Sequence, residues 1–142
     1  MTVEVREARP ADAEALVPLI ELLPHRVTIE GVRQRLQEIP GSDFPQLVAV
    51  QDGTVIGLCG LHLMTALHRE KPVGRITILV VAEHARGKGI GQMLVDAAEL
   101  RFRAAGCSMI ELTSNDWLVE AHRFYAKLGF EQTSKRFAKQ LG

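Results

Sequence analysis

The order of apolar and polar residues predicts one strand and two helices in the first third of the chain. Val3 and Val5 alternate with charged neighbours, which is typical of a strand with one buried face. Apolar residues then recur at helical spacing over residues 10–23 and over residues 28–39. Pro24 ends the first of these helices, because proline cannot continue the helical hydrogen bonds.

A hairpin is predicted in the middle of the chain. Residues 46–50 and 54–61 are two apolar runs of strand length, and Asp52 and Gly53 lie between them. Asp-Gly is a strong hairpin signal because glycine readily takes the positive φ that a type I′ turn requires. These two runs are therefore expected to be neighbouring antiparallel strands.

The second strand of the hairpin contains Gly57 and Gly60, which indicate a bulge or a close approach of another backbone. A loop is expected before the hairpin, at residues 40–43, and the second strand is expected to extend towards residue 67. Residues 71–74 are predicted to turn the chain into the next strand.

That next strand is the apolar run at residues 75–81, and the remainder of the chain alternates helix and strand. The pattern predicts a helix over residues 90–105, a short strand over residues 109–113 and a helix over residues 118–128. Residues 130–141 are expected to complete the sheet as an antiparallel strand or pair. This order of elements predicts an α/β fold with a mixed, mostly antiparallel sheet and helices on both faces.

Length and composition fit one globular domain spanning residues 1–142. Of the 142 residues, 46% are hydrophobic and 24% are charged, and the 17 basic side chains balance the 17 acidic ones. A neutral chain argues against nucleic-acid binding, which relies on neutralising many phosphates. The charged N-terminus is not a signal peptide, and no apolar run approaches the length of a membrane span. A cytoplasmic protein with no membrane partner is expected, with Cys59 and Cys107 as free thiols.

The most informative segment is a glycine-rich turn between the apolar run at residues 75–81 and the helix at residues 90–105. Its residues are Arg86, Gly87, Lys88, Gly89, Ile90 and Gly91. A strand that enters a helix through such a turn directs free backbone N–H groups and the positive end of the helix dipole at one point. Glycine removes the Cβ atoms that would keep an anion away. The turn is therefore predicted to bind a phosphate.

Two familiar phosphate loops do not fit this turn. A dinucleotide-binding loop has the spacing G-x-G-x-x-G, and a P-loop has G-x-x-x-x-G-K-[ST]. The turn resembles the pyrophosphate loop of the GNAT superfamily of N-acetyltransferases, [Arg/Gln]-x-x-Gly-x-[Gly/Ala], at Arg86, Gly89 and Gly91. The other interpretation is a glycine-rich start of a helix that binds no ligand.

A second motif strengthens the resemblance. Residues 121–130, AHRFYAKLGF, are similar to the C-terminal signature of the same superfamily, and both motifs occur in the family's order and spacing. Together with residues 111–115, ELTSN, and residues 136–139, RFAK, they resemble bacterial aminoalkylphosphonate N-acetyltransferases. Fold and cofactor carry over within such a superfamily more readily than the acceptor does.

The resemblance implies a sheet that splays between strands four and five and an enzyme that takes acetyl-CoA as cosubstrate. The pantetheine arm is expected against Leu79, Val80 and Val81, with the pyrophosphate on the glycine-rich turn. The thioester is then expected near Asn115 and Tyr125, where an amine attacks it directly with no acyl-enzyme.

Tyr125 is the candidate general acid, because it matches the family tyrosine that contacts the thioester sulfur. A phenol, with an ordinary pKa of about 10, can protonate the leaving thiolate. The alternative is a core aromatic residue beside Phe124. No carboxylate precedes Leu79 on strand four, where many relatives have a glutamate. Glu111 is the candidate general base instead, with a salt-bridged or solvated strand residue as its alternative.

Other polar residues are weaker candidates. His62 and His68 would share a face of a regular strand and line an acceptor pocket, but no pair of the five histidines has helical metal-ligand spacing, and no metal is expected. Arg26, Arg33 and Arg35 are either ligands of an anionic acceptor or a solvated basic face.

The leading prediction is an acetyl-CoA-dependent N-acetyltransferase acting on a primary amine of a small molecule. The alternatives are a regulatory domain that binds acyl-CoA without turnover and an enzyme that acetylates a protein or peptide. Trp117 follows the Asn115 motif and is expected either to cover the cleft or to lie in the contact of a homodimer.

Overall fold

The computed structural model describes residues 2–39 and 44–142, so the loop predicted at residues 40–43 lies outside the described residues. The chain forms two compact units, Met1–Glu111 and Leu112–Gly142. The single domain predicted over residues 1–142 stays a prediction.

The first unit contains a five-stranded sheet in the order β1-β2-β3-β4-β5. The strands are β1 Val3–Glu7, β2 Leu47–Gln51, β3 Thr54–Met64, β4 Val73–Val81 and β5 Met109–Glu111. The helices are α1 Ala13–Ile20, α2 Ile29–Glu38 and α3 Ile90–Ala104. All neighbouring strands are antiparallel except β4 and β5, which are parallel. This mixed sheet confirms the predicted α/β class.

Helices cover both faces of the sheet, as predicted. Leu16 and Leu19 of α1 and Val32 of α2 share one buried cluster with Val48, Leu58 and Val80 of the sheet. The helix α3 packs on the opposite face. A Cβ atom on Gly57, which neighbours Leu58 and so faces the other way, would lie 3.0 Å from Leu94 Cδ1. Gly57 thus lets α3 approach the strand closely.

The predicted hairpin connects β2 and β3. Asp52 has a φ of 51° and Gly53 has a φ of 78°, so both residues have the positive φ of a type I′ turn. The flanking residues Gln51 and Thr54 are paired across the turn. The Asp-Gly prediction is confirmed.

A bulge on β4 lies opposite the second glycine of β3. Gly60 pairs with Ile78 and Leu61 pairs with Ile76, which leaves Thr77 as an extra residue. A Cβ atom on Gly60 would lie 2.8 Å from Ile78 Cγ2, closer than real Cβ contacts allow. The bulge expected from Gly57 and Gly60 is therefore present, and Gly60 provides the space for it.

The side chain of Gln46 continues the pairing of β3 where β2 begins. Its amide nitrogen donates to the Leu61 carbonyl over 2.9 Å, and the Leu61 N–H donates to Gln46 Oε1 over 3.2 Å. A side-chain amide therefore replaces a strand residue at the bulge, which keeps the backbone polar groups of Leu61 satisfied.

A nearly buried carboxylate links β1 to the start of α1. Asp12 accepts two hydrogen bonds from the Arg6 guanidinium, of 2.8 and 2.9 Å, and one of 2.7 Å from the Arg9 backbone N–H. The Arg6 hydrogen bonds, reinforced by the Arg9 N–H, hold the pKa of Asp12 below its usual range despite its burial. The charged form of Asp12 is thus part of the folded state.

The turn predicted at residues 71–74 is wrong in its second half. Val73 and Gly74 belong to β4, where Gly74 pairs with Leu63 on one side and Ile110 on the other. The reason is a tertiary contact. The fully buried ring of Phe102 lies directly over Gly74, whose added Cβ would come within 2.7 Å of Phe102 Cδ2. Glycine here makes room for a ring rather than for a turn.

The second unit contains α4, Val119–Lys127. Gly129 has a φ of 93° and the Phe130 N–H donates to the Tyr125 carbonyl over 3.0 Å, which confirms Gly129 as the cap of this helix. The strand predicted over residues 130–141 is wrong, since residues 130–142 carry no regular structure. Phe137 and Leu141 are almost fully exposed, so this segment has no buried face to hold it in a sheet.

Candidate active site

The glycine-rich turn connects the end of β4 to α3 through a short 3-10 turn, Glu83–Ala85. Gly87 and Gly89 have φ values of 78° and 79°, in the left-handed region that favours glycine. A Cβ atom on either would meet nothing within 4 Å. Both glycines therefore border open space, which a ligand can occupy.

The N-terminus of α3 has no side-chain cap. Gly89 is the N-cap residue and offers no side-chain hydrogen bond. The Met93 N–H donates to the Gly89 carbonyl over 3.0 Å, so the N–H groups of Ile90, Gly91 and Gln92 precede the first bond within the helix. These donors, at the positive end of a 15-residue helix, suit an anion.

The two basic residues of the turn have different positions. Arg86 Nε donates to the Val81 carbonyl over 3.2 Å, so its side chain turns back to the end of β4. Lys88 lies between the two left-handed glycines and is exposed. The structure therefore places Lys88 as a charge available to a ligand and Arg86 as a residue that shapes the turn.

The sheet opens along one edge of β4. Its parallel partner β5 pairs only with Val73, Gly74 and Arg75. From residue 76 to residue 81, β4 is paired with β3 alone among the described residues. The predicted splay between strands four and five is confirmed, and Leu79, Val80 and Val81 lie on the open stretch.

The last paired rung of β4 and β5 carries an ion pair. Arg75 Nη1 donates to Glu111 Oε1 over 3.0 Å, and each side chain is about one-third exposed. Glu111, predicted as a base, thus has a cation beside it. Arg75 was not singled out from the sequence, because only the register of β4 and β5 shows that it lies opposite Glu111.

The histidines do not form the predicted pair. His62 lies on β3 opposite Arg75 and is exposed, but β3 ends at Met64, so His68 is not in the strand. The prediction that His62 and His68 share a strand face is wrong, since the strand ends before His68. Among the described residues, no group of three or more His, Cys, Asp or Glu side chains is arranged to hold a metal ion.

The three arginines near α2 separate into two kinds. Arg33 forms an ion pair with Glu30 on the same helix. Arg26 and Arg35 line an open groove of about 750 Å³ between the end of α1 and the start of α2. Of the three arginines, Arg26 and Arg35 therefore remain candidate ligands of an anionic acceptor, and Arg33 does not.

In the second unit, α4 contains Tyr125 and is hydrogen-bonded to the segment that contains Asn115. His122 Nε2 donates to the Asn115 carbonyl over 2.9 Å, and the Leu118 N–H donates to the same oxygen over 3.0 Å. The ring of Tyr125 is half-buried and makes edge contacts with Phe124 and Phe130, at centroid distances of 5.5 and 5.9 Å. Asn115 and Tyr125 are thus joined through one helix. Trp117 is 72% exposed.

No helix among the described residues combines the length and apolar character needed to cross a membrane.

Comparison with known proteins identifies the family. A model of the acetyltransferase (GNAT) family matches residues 16–130. The chain is 34% identical over 140 residues to an aminoalkylphosphonate N-acetyltransferase of Salmonella typhimurium, covering 97% of this chain and 91% of that protein.

Solved structures share the fold. A transcriptional regulator from Bacillus halodurans superposes with a TM-score of 0.88 at 25% identity, over 99% of this chain and all of that one. An aminoglycoside N-acetyltransferase in complex with CoA superposes with a TM-score of 0.83 at 19% identity, over 98% of this chain and 94% of that one. The chain therefore belongs to the acetyltransferase (GNAT) family and is an enzyme of the N-acetyltransferase class.

Proposed function

We propose that the protein transfers an acetyl group from acetyl-CoA to the primary amine of a small molecule. The observation that carries this proposal is that α3 begins after two glycines, Gly87 and Gly89, and follows the open edge of β4. Gly87 and Gly89 leave open space in front of uncapped N–H groups, which suits a pyrophosphate. An unpaired strand edge suits an extended amide chain, because it offers backbone hydrogen bonds.

The cofactor-binding residues follow from these two features. The N–H groups of the turn would hold the pyrophosphate, with Lys88 adding charge and Arg86 fixing the turn against Val81. Leu79, Val80 and Val81 would offer backbone groups to the pantetheine arm. Asn115 and Tyr125 would lie at the thioester. A solved protein of the same fold binds CoA, which supports this assignment.

The chemistry needs two proton transfers. The amine nitrogen attacks the thioester carbonyl carbon, a C–N bond forms and the C–S bond breaks. Tyr125 donates a proton to the leaving sulfur, and the surplus proton of the amine passes to Glu111. Glu111 is the single carboxylate that the sequences of β4 and β5 supply, which supports its role as acceptor of that proton.

The acceptor is proposed to be small. The relative from Salmonella typhimurium is named for aminoalkylphosphonates, and this chain covers nearly all of its length. Release of free CoA thiol, measured with a panel of aminophosphonates, amino acids, polyamines and aminoglycosides, tests the proposal.

Acetylation of one or more small amines on this panel would support the proposal. Turnover restricted to peptides or proteins, detected by mass spectrometry of acetylated products, would contradict it and favour a protein acetyltransferase.

A further inference from the structure

The segment that leads into α4 is folded as two consecutive tight turns. The Leu118 N–H donates to the Asn115 carbonyl over 3.0 Å, which closes a β-turn with Asp116 and Trp117 at its centre. The Val119 N–H then donates to the Trp117 carbonyl over 3.0 Å, and Leu118 has the φ of −86° and the ψ of 66° that are typical of an inverse γ-turn. Backbone hydrogen bonds therefore connect Asn115 to the first residue of the helix.

A histidine side chain strengthens this arrangement from within the helix. His122 Nε2 lies 2.9 Å from the Asn115 carbonyl oxygen, and the pair is partly buried. A carbonyl oxygen can only accept, so Nε2 carries the hydrogen and donates it. An imidazole can donate from this nitrogen both when it is neutral and when it is charged. The Asn115 carbonyl thus accepts two hydrogen bonds, one from the main chain and one from His122.

The start of α4 has no other side chain that fixes it to the preceding turn. Leu118, the N-cap residue, offers no side-chain hydrogen bond to the helix. The first bond of the helix runs from the His122 N–H to the Leu118 carbonyl over 3.1 Å. A capping side chain would normally set the angle at which the chain enters the helix. The bond from His122 Nε2, which reaches back seven residues, provides that connection here.

The side chain of Asn115 is left for a ligand. Its backbone carbonyl is held by two donors, but its side-chain amide forms no hydrogen bond with any described residue. Asn115 is half-buried, and none of the described side chains keeps a buried polar atom without a partner, so this amide reaches open space. A fixed main chain with an unused side-chain amide is a preorganised ligand group, because binding then orders little that was mobile.

We propose that His122 is a positioning residue for the acyl donor. Its Nε2–H holds the Asn115 main chain, so that the Asn115 side-chain amide meets a polar group of acetyl-CoA in a fixed orientation. This inference rests on the proposed function, in which Asn115 lies at the thioester, and adds the residue that orients Asn115. His122 acts through Asn115 and takes no part in proton transfer.

Binding of acetyl-CoA to His122 variants, measured by calorimetry, tests the proposal without requiring turnover. His122→Leu removes the donor, so Kd is expected to rise by about fivefold to tenfold, the usual effect of one lost hydrogen bond. His122→Gln, whose amide nitrogen can take the place of Nε2, is expected to bind within about twofold of the wild type. Arg123→Gln is the control, because Arg123 is the exposed neighbour of His122 and pairs with Glu120 alone.

A double-mutant cycle shows whether His122 acts through Asn115. In an Asn115→Ala background the side-chain amide is absent, so His122→Leu is expected to cause less than about twofold further loss of affinity. A loss of the same size in both backgrounds would overturn the proposal. Wild-type affinity in His122→Leu, or equal losses in His122→Leu and His122→Gln, would overturn it as well.

The pH dependence of kcat/KM separates positioning from proton transfer. His122→Gln is expected to keep the shape of the wild-type profile, because glutamine does not titrate and the proposed role needs only a donor. Loss of one limb of the profile in this variant would show that His122 transfers a proton, and would contradict the proposal.

Nitrogen chemical shifts of the His122 ring in the wild-type protein test the hydrogen bond without any variant. A protonated Nε2 is expected, and a neutral ring protonated at Nδ1 alone would overturn the proposal. A wild-type protein that does not bind acetyl-CoA would instead contradict the proposed function. The two failures are therefore distinguishable.

Discussion

Arg75 and Glu111 form an ion pair of 3.0 Å on the last rung at which β4 and β5 are hydrogen-bonded. Beyond this rung, β4 continues for six residues, to Val81, with β3 as its partner. The pair therefore marks the point where the sheet opens. A carboxylate at this point has two conceivable roles, to hold the strands together and to accept a proton.

Substitution of either partner separates the two roles. Glu111→Gln is expected to lower kcat by about 10²–10⁴-fold, the usual contribution of a positioned base. Arg75→Gln breaks the same ion pair but keeps the carboxylate, so its kcat is expected to fall by less than about tenfold. Steady-state kinetics on both variants checks this prediction, and equal losses would reduce Glu111 to a structural residue.

The choice of acceptor provides a further check on Glu111. An amine of lower pKa gives up its proton more readily, so the loss in Glu111→Gln is expected to shrink along a series of amines of falling pKa. A loss that is independent of the amine would contradict a role in proton transfer.

Tyr125→Phe is expected to lower turnover by about 10²–10⁴-fold while acetyl-CoA affinity changes little. The variant keeps the ring and its contacts with Phe124 and Phe130, and it removes the hydroxyl alone. Turnover is measured by thiol release, and affinity by calorimetry.

A donor with a more acidic thiol serves as the control for Tyr125→Phe. Such a thiolate leaves without protonation, so the variant is expected to recover activity with it. Wild-type turnover with acetyl-CoA in this variant would leave Tyr125 as a packing residue.

Gly89→Asp is expected to abolish CoA binding while the protein remains folded. The new carboxylate would occupy the open space in front of the α3 N–H groups and repel a phosphate. Gly53→Asp is the matched control, because Gly53 has nearly the same φ and equally open surroundings in a distant hairpin.

Both glycine variants are expected to lose about 1 kcal/mol of stability from the left-handed backbone. Calorimetric titration with CoA distinguishes them: Gly53→Asp is expected to bind like the wild type. Equal affinity in Gly89→Asp would place the phosphate site elsewhere.

Asp12→Asn is expected to lower the free energy of unfolding by about 2–3 kcal/mol at pH 7, because it weakens charge-assisted hydrogen bonds at a nearly buried site. The pKa of Asp12 is lower in the folded chain than in the unfolded one, chiefly because of its hydrogen bonds from Arg6. Its stabilising effect is therefore complete above the unfolded pKa of about 3.9 and is lost as the pH falls through the folded value.

Urea denaturation at pH 7 and at pH 3 checks this prediction, with the difference between wild type and Asp12→Asn expected to be smaller at pH 3. Glu99→Gln is the control, because the Glu99–Arg103 pair is exposed and is expected to contribute less than about 0.5 kcal/mol. An Asp12 effect that grows towards low pH would contradict the assignment.

Local chemistry made much of this fold predictable. The Asp52-Gly53 turn and the cap at Gly129 each depend on glycine backbone freedom, and Gly60 signalled a bulge because a residue without a side chain leaves space for a neighbouring strand. The glycine-rich turn was predictable for the same reason, because a strand, left-handed glycines and a helix follow one another directly.

Features that depend on distant contacts were less accessible. Gly74 looked like a turn residue because nothing near it in sequence shows that Phe102 packs over it. The Arg75–Glu111 pair joins residues 36 positions apart, so it depends on strand register. The final strand failed because alternation alone does not supply a buried face, which Phe137 and Leu141 lack.

The bulge at Thr77 shifts, between the two halves of β4, the alternation of side chains from one face of the sheet to the other. Because one residue is unpaired there, the side chains of residues 78–81 face the opposite way from where a regular strand would put them. Thr77 itself is exposed, so many side chains are expected to be tolerated at this position. Loss of the residue would make Ile76 and Ile78 neighbours in a regular ladder, in which Val80 still pairs with Leu58 and keeps its place in the α1 and α2 core. At this position, replacement and loss of the residue are therefore both compatible with the core on each face of the sheet.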